Sequence, residues 1–201
     1  SNRRENAIIS TKATFSMGDG INDSGSSRYH LIRECEASLK RLGTDYIDVF
    51  LIHGVDPLTP EEETLRALDD LVVSGKIRYI GCSNLPAWRV MKSLSISERL
   101  NFEKYVIYQG YYSLIGRDYE SELMPVINDQ RMGLMVWSPL GWGRLTGKIK
   151  KGKAIADGRI RSGGSVGGPE VDEMFLQNVL EVLEQVEKET GKSIPQIALN
   201  W

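Results

Sequence analysis

The chain has 201 residues, enough for one domain with a sizeable core, and its 41% hydrophobic and 26% charged residues are ordinary for a globular protein. A net charge of −2 gives no electrostatic reason to expect binding to nucleic acid or to an anionic membrane surface. No apolar run approaches the ~20 residues of a membrane span, and Cys35 and Cys82 form no CxxC pair, so a reducing cytoplasm is the expected location.

Short apolar runs alternate along the chain with longer stretches whose apolar residues recur at helical spacing. The predicted strands are 7–12, 46–53, 77–83, 105–110 and 133–138. The predicted helices are 31–42, 59–75, 86–96, 118–130, 171–190 and one that begins near Pro195. Strand starts recur roughly every 28 to 40 residues, the size of a βαβ unit. The pattern predicts one α/β domain over residues 1–201, built as an open doubly wound sheet or as part of a (β/α)8 barrel.

Helix boundaries and one loop carry local signals. Gly43 and Gly191 each follow an apolar stripe and predict helix ends. Thr59 is the predicted N-cap of the second helix, with Pro60 at its first position and a glutamate completing a capping box. The segment 152–169, rich in glycine and basic residues, is predicted to be a mobile loop or lid.

Each predicted strand ends in a polar or aromatic side chain. These residues are Lys12, His53, Ser83 with Asn84, Gln109, and Trp137 with Ser138. In barrels and in open α/β sheets, active sites form at the carboxyl ends of the strands. Five such ends in one chain therefore predict a functional site at this edge. His30, by contrast, is expected at the surface of the first helix.

Several segments together resemble the aldo-keto reductases. Residues 42–53 resemble the signature that leads to that family's catalytic histidine, and 80–84, 108–110 and 137–141 match the family in order and spacing. Residues 143–148, Gly-Arg-Leu-Thr-Gly-Lys, resemble the pyrophosphate loop of longer-loop bacterial members and of potassium-channel β subunits. The resemblance covers essentially the whole chain. It implies a TIM (β/α)8 barrel, of which this chain contains the third to seventh strands and lacks the first two and the last.

The resemblance also implies a reaction: reduction of aldehydes or ketones to alcohols by hydride transfer from NADPH. The family's catalytic tetrad is Asp, Tyr, Lys and His. Lys12 matches the lysine, whose charge lowers the pKa of the tyrosine acid from about 10, and His53 matches the histidine that orients the carbonyl. The tetrad Asp and Tyr precede the lysine strand in the family, and no residue in 1–11 can serve. This chain is therefore expected to be part of a longer protein and inactive alone.

The remaining matches concern the cofactor. Ser83, Asn84 and Gln109 correspond to the family's clamp on the nicotinamide carboxamide, and Trp137 to the ring that stacks on the nicotinamide. The phosphate-lining positions are Ser138, Pro139, Leu140, Gly143, Thr146 and Lys148. No metal site is expected. NADPH is the family's preference, with NADH left open because the residues that read the 2′-phosphate fall after Trp201.

Two other functions stay open at this point. The chain could be a non-catalytic, cofactor-sensing regulatory subunit, since potassium-channel β subunits share the loop pattern of 143–148. It could also be a barrel of another family that uses a phosphate-bearing substrate, because a fold alone does not fix function. The expected partner is a small carbonyl substrate, homo-oligomerisation is left open, and Gly54, where many family members have a bulky residue, predicts extra room in the substrate pocket.

Overall fold

The computed structural model describes residues 3–149 and 168–201, and in these ranges five strands alternate with six α-helices. The strands are β1 Ser10–Ala13, β2 Ile47–Ile52, β3 Ile77–Ser83, β4 Tyr105–Tyr111 and β5 Gly133–Trp137. The helices are α1 Arg28–Leu42, α2 Glu61–Val73, α3 Ala87–Leu100, α4 Leu123–Asp129, α5 Glu173–Thr190 and α6 Ile194–Asn200. Each predicted strand and helix has a counterpart, but β1 begins only at Ser10, three residues after the predicted start, and a short 3-10 turn, Asp118–Glu120, replaces the first part of the predicted fourth helix. Of the predicted mobile segment, only 168 and 169 lie among the described residues.

The chain divides into two compact units, which are described separately below. The first comprises Ser1–Gly110 and Leu123–Met135, and it holds β1 to β3, all of β4 but its last residue, the first three residues of β5, and α1 to α4. The second comprises Tyr111–Glu122 and Val136–Trp201, and it holds α5 and α6.

The sheet has the strand order β1-β2-β3-β4-β5, and β1 to β4 pair in parallel. A doubly wound sheet would reverse its strand order at a switch point, whereas neighbouring strands of a (β/α)8 barrel follow chain order. The sequential order therefore identifies an α/β fold of the barrel type, seen here as a five-stranded part of a TIM barrel. Side chains such as Phe50 and Cys82 are fully buried in its core.

Helices α1 and α5 end as the sequence predicts, whereas α2 begins differently. Gly43 caps α1 in the left-handed conformation, with φ 62°, and Gly191 ends α5 in the same way, as predicted. The predicted Thr59 cap is wrong. Helix α2 begins at Glu61 with Pro60 in the N-cap position, and the Thr59 hydroxyl, one residue before the cap, donates to the Asp56 carboxylate at 2.7 Å.

The expected surface position of His30 is also wrong, since its exposed fraction is 0%. The loop before α1 folds over this side chain, and Nδ1 of His30 lies 3.2 Å from the carbonyl oxygen of Asn22. Helical spacing locates a face of a helix, but it does not reveal that the preceding loop covers that face. Within the described ranges, no helix is long and apolar enough to cross a membrane.

A close contact between strands gives a test of the fold. A Cβ on Gly81 would lie 2.7 Å from the backbone oxygen of Ile107, whereas a Cβ on Gly133 would meet only ordinary contacts at 3.6 Å or more. Gly81→Ala should therefore lower the free energy of unfolding by about 1–3 kcal/mol, because the backbone must shift. Gly133→Ala, the matched control, should be neutral or slightly stabilising. Urea unfolding of both variants measures the difference, and equal stabilities would contradict this β3–β4 packing.

Candidate active site

Lys12 and His53 lie on the same face of the sheet. Lys12 is the register partner of Leu51 in the neighbouring parallel strand. Side chains alternate between the two faces along a strand, so His53, two residues beyond Leu51, points to the face of both Leu51 and Lys12. The two predicted tetrad residues are thus brought to one edge of the first unit.

The register extends this arrangement to two further predicted residues. Leu51 pairs with Gly81 in β3, and Ser83 lies two residues beyond Gly81 on the same face. Ser83 in turn is the register partner of Gln109 in β4. Lys12, His53, Ser83 and Gln109 therefore share one face at the carboxyl ends of adjacent strands.

The backbone of His53 is fixed from both sides. Its N–H donates to the carbonyl of Ala13 at 2.9 Å, and Nδ2 of Asn84 donates to the His53 carbonyl at 3.0 Å. Burial lowers the pKa of His53, and the nearby charge of Lys12 lowers that pKa further. The imidazole is consequently neutral at physiological pH, with one nitrogen able to donate and the other able to accept a hydrogen bond.

Ser83 and Gln109 have unused hydrogen-bonding capacity. The Ser83 side chain is fully buried, and within the described part of the chain its hydroxyl has no hydrogen-bond partner. Among the residues that the structure describes, Nε2 of Gln109 donates only to a thioether, the sulfur of Met135 at 2.7 Å, which is a weak acceptor. Asn84 uses its amide donor on His53, which leaves its Oδ1 as an acceptor. This set fits a carboxamide ligand, which offers both a donor and an acceptor.

In the second unit, Trp137 belongs to a cluster of three aromatic rings. Its ring centroid lies 5.2 Å from that of Tyr111 and 5.3 Å from that of Trp142, the latter pair edge to face. Tyr111 and Trp142 also contact each other, at 4.8 Å. Among the described residues, the buried indole nitrogen of Trp137 has no hydrogen-bond partner. The cluster holds the Trp137 ring in a defined orientation.

The segment after Trp137 makes several of its own hydrogen bonds. The Gly143 N–H donates to the carbonyl of Leu140 at 3.0 Å, and the Thr146 hydroxyl donates to the carbonyl of Gly143 at 2.7 Å. Ser138 adopts a left-handed φ of 49°, and the adjoining Pro139 has no N–H to offer. Lys148 is exposed and carries the positive charge of the predicted phosphate-binding residues.

Sequence reasoning missed three aromatic residues beside these positions. Phe15 stacks on His53 with centroids 4.1 Å apart, and Tyr111 and Trp142 pack on Trp137. Trp142 could have been noticed, because a tryptophan between two glycines in a turn is unusual. No signal in the sequence pointed to Phe15, which lies in a loop of small and polar residues.

Comparison with known proteins gives a consistent result. The model of the aldo/keto reductase family matches residues 1–201. The chain is 36% identical to "Probable voltage-gated potassium channel subunit beta" of Oryza sativa subsp. japonica, over 99% of this chain and 61% of that relative. It is 35% identical to "Versiconal hemiacetal acetate reductase" of Aspergillus parasiticus, over 92% and 53%. It is also 35% identical to "L-glyceraldehyde 3-phosphate reductase" of Escherichia coli, over 98% and 58%. The chain thus spans between about half and three fifths of the length of these relatives.

The charge of Lys12 gives a test of the His53 environment. Lys12→Met removes a nearby positive charge and should raise the pKa of His53, while the remaining burial keeps that pKa below its ordinary value. Lys40→Met, on the exposed side of α1, should leave it unchanged. NMR titration of the imidazole protons measures both, since the chain has two histidines and His53→Gln assigns the signals. An unchanged His53 pKa in Lys12→Met would mean that the two side chains are not close.

Proposed function

The chain belongs to the aldo/keto reductase family, and from this premise we propose that it supplies the cofactor clamp and two tetrad residues of an NADPH-dependent reductase of small aldehydes or ketones. When bound, the nicotinamide supplies the hydride. The reductase names of two relatives support this reaction class. The two buried, unpaired cysteines fit a reducing, cytoplasmic location.

The proposed roles follow the chemistry of each side chain. Lys12 lowers the pKa of the family's tyrosine acid. His53, held neutral by its burial, donates a hydrogen bond that orients the substrate carbonyl. Ser83, Asn84 and Gln109 bind the nicotinamide carboxamide.

The observation that carries this proposal is the Ser83 hydroxyl. A buried hydroxyl without a partner destabilises a protein by about 1–3 kcal/mol. Such a group in the core is explained when a ligand completes its hydrogen bonds. Ser83 is paired in register with Gln109, and the neighbouring Asn84 has an acceptor oxygen, Oδ1. A carboxamide, which has both a donor and an acceptor, would complete the hydrogen bonds of these side chains.

For the phosphates, we propose the segment that follows β5. Its exposed ammonium group, Lys148, binds the pyrophosphate of the cofactor. Thr146 and Gly143 shape the turn through their mutual hydrogen bond, and Trp137 provides a ring surface for the nicotinamide.

The Ser83 hydroxyl gives the test of cofactor binding. Ser83→Ala should weaken NADPH binding about ten-fold, the loss of one hydrogen bond of about 1–1.5 kcal/mol, without lowering stability. Ser97→Ala is the matched control, because the Ser97 hydroxyl in α3 is also buried and without a partner in the described ranges. Affinity is measured by quenching of tryptophan fluorescence, with NADH titrated in parallel.

Equal weakening by both serine variants would contradict the clamp, because it would reflect a general loss of packing. Absence of saturable quenching by NADPH, both in this chain and in a chain extended at both ends, would overturn the proposed function. Tighter binding of NADH than of NADPH would change only the proposed cofactor, from NADPH to NADH.

A second function is favoured by the relatives named as potassium channel subunits, at 36% and 35% identity. We propose it as the alternative: a cofactor-sensing regulatory subunit without turnover. A chain extended at both ends separates the two. Turnover of simple aldehydes with NADPH supports the reductase, whereas NADPH binding without turnover supports the regulatory subunit.

A further inference from the structure

The Asp56 carboxylate joins two loops beside the candidate site. Asp56 lies three residues after His53, in the loop that follows β2. Its carboxylate accepts the Ser26 N–H, from the loop that follows β1, at 2.7 Å. From its own loop it accepts the Leu58 N–H at 2.8 Å and the Thr59 hydroxyl at 2.7 Å. One side chain therefore bonds the two loops that continue β1 and β2.

These bonds keep the carboxylate charged although it is partly buried. Burial favours the neutral form and by itself would raise the pKa of Asp56. The hydrogen bonds from Thr59, Ser26 and Leu58 outweigh that effect, so the pKa of Asp56 lies below its ordinary value. Hydrogen bonds to a charged acceptor are roughly twice as strong as those between neutral groups. The link between the two loops is therefore a strong one at neutral pH.

The backbone at Gly25 leaves room for this link. A Cβ at Gly25 would lie 2.9 Å from Oδ2 of Asp56, and the residue has φ 95°. Glycine adopts that conformation without strain, and it lets the carboxylate approach the Ser26 N–H. The Gly25 N–H donates in turn to the Thr14 carbonyl at 2.7 Å. The loop after β1 is thus shaped around the Asp56 carboxylate.

Two further contacts connect Ser26 with the backbone of the site. The Ser26 and Thr14 hydroxyls lie 3.0 Å apart in the interior, and the Thr14 hydroxyl accepts the His53 N–H at 3.3 Å. Thr14 directly follows β1 and is two residues from Lys12. The chain of hydrogen bonds that starts at Asp56 therefore returns to both strands that carry the tetrad matches.

The backbone of Asp56 is held from the side of the helices. Nη1 of Arg89 in α3 donates to the Asp56 carbonyl at 3.2 Å. Nε of Arg89 also lies 3.4 Å from Oε1 of Glu61, which begins α2. Asp56 is consequently fixed against two helices while its side chain reaches across to the neighbouring loop.

We propose that Asp56 is a positioning residue: by joining the loops after β1 and β2, its carboxylate sets the separation of Lys12 and His53 at the carboxyl edge of the sheet. This inference rests on the proposed reductase function, in which these two residues act together. The register pairing of the strands ends at Ala13 and Ile52, one residue before His53. Beyond that point the contact between the loops holds the two sides of the site together.

The effect of Lys12 on His53 reports their separation without any ligand. The charge of Lys12 lowers the pKa of His53, so the rise in that pKa caused by Lys12→Met measures how strongly the two side chains interact. In an Asp56→Asn background we expect this rise to fall to about half, because the loops part and water enters between the two groups. Comparing the rise in the two backgrounds cancels the direct effect of the Asp56 charge on His53. NMR titration of the imidazole protons gives both values.

Asp48→Asn is the matched control, because Asp48 joins the same two strands near their other end. Its carboxylate accepts the Ile9 N–H at 2.8 Å, just before β1. This variant should lose stability towards urea, as Asp56→Asn does, but it should leave the rise caused by Lys12→Met unchanged. Thr59→Val removes one hydrogen bond from the Asp56 carboxylate and should reduce the rise by a smaller amount. It provides the same test if Asp56→Asn does not fold.

An unchanged rise in the Asp56→Asn and Thr59→Val backgrounds would overturn the inference. An equal reduction in the Asp48→Asn background would overturn it as well, because the effect would then come from a general loosening of β1 and β2.

The two proposals fail in different ways. If NADPH binds but the substitutions at Asp56 and Thr59 leave the rise unchanged, only the inference on Asp56 is wrong. If NADPH binds neither to this chain nor to the extended chain, the proposed function is wrong, and Asp56 has no reductase site to position.

Discussion

The parallel register of the first unit is the constraint on which its candidate site depends. Because Lys12 is level with Leu51, and Leu51 with Gly81, side chains two residues further along neighbouring strands share a face. His53 and Ser83 reach that face without any special loop geometry. A shift of one residue between β1 and β2 would send Lys12 to the opposite face. The backbone ladder therefore decides which side chains can act together, and the loops only refine the arrangement.

Strained backbone is concentrated where the strands end. Of the six described non-glycine residues with positive φ, three are the first residue after a strand: Thr14, Asn84 and Ser138. Asn101, by comparison, is a helix C-cap, where the left-handed conformation is common. Strain of about 1–3 kcal/mol at such a position persists only when neighbouring bonds enforce it. At Asn84 the enforcing bond is the hydrogen bond from its side chain to the His53 carbonyl. This bond holds both the turn at Asn84 and the backbone of His53 in place.

Much of this could be predicted from the sequence, and the failures have a common physical cause. Short apolar runs located the strands, and the reason is clearest in β2, which is buried at five of its six positions and must therefore be apolar on both faces. Lys12 and His53 were predicted as site residues because each is a polar residue that ends an apolar run. The errors at Thr59 and His30 both arose from loops: the Thr59 hydroxyl bonds Asp56 within its own loop, and the loop before α1 covers His30 through the Asn22 carbonyl. Phe15 was missed on the same grounds, because its contact with His53 spans 38 residues and leaves no local pattern.

The stacked ring and the charge state of the histidine are physically linked. Burial is the largest cause of the lowered His53 pKa, ahead of the charge of Lys12, and a phenyl ring 4.1 Å from the imidazole is part of what removes water from it. A neutral imidazole can donate a hydrogen bond to a carbonyl without adding a second full charge beside Lys12. The lack of a side chain at Gly54 therefore does more than leave space in a pocket. It admits the Phe15 ring, which stacks on His53 and contributes to the burial of its imidazole.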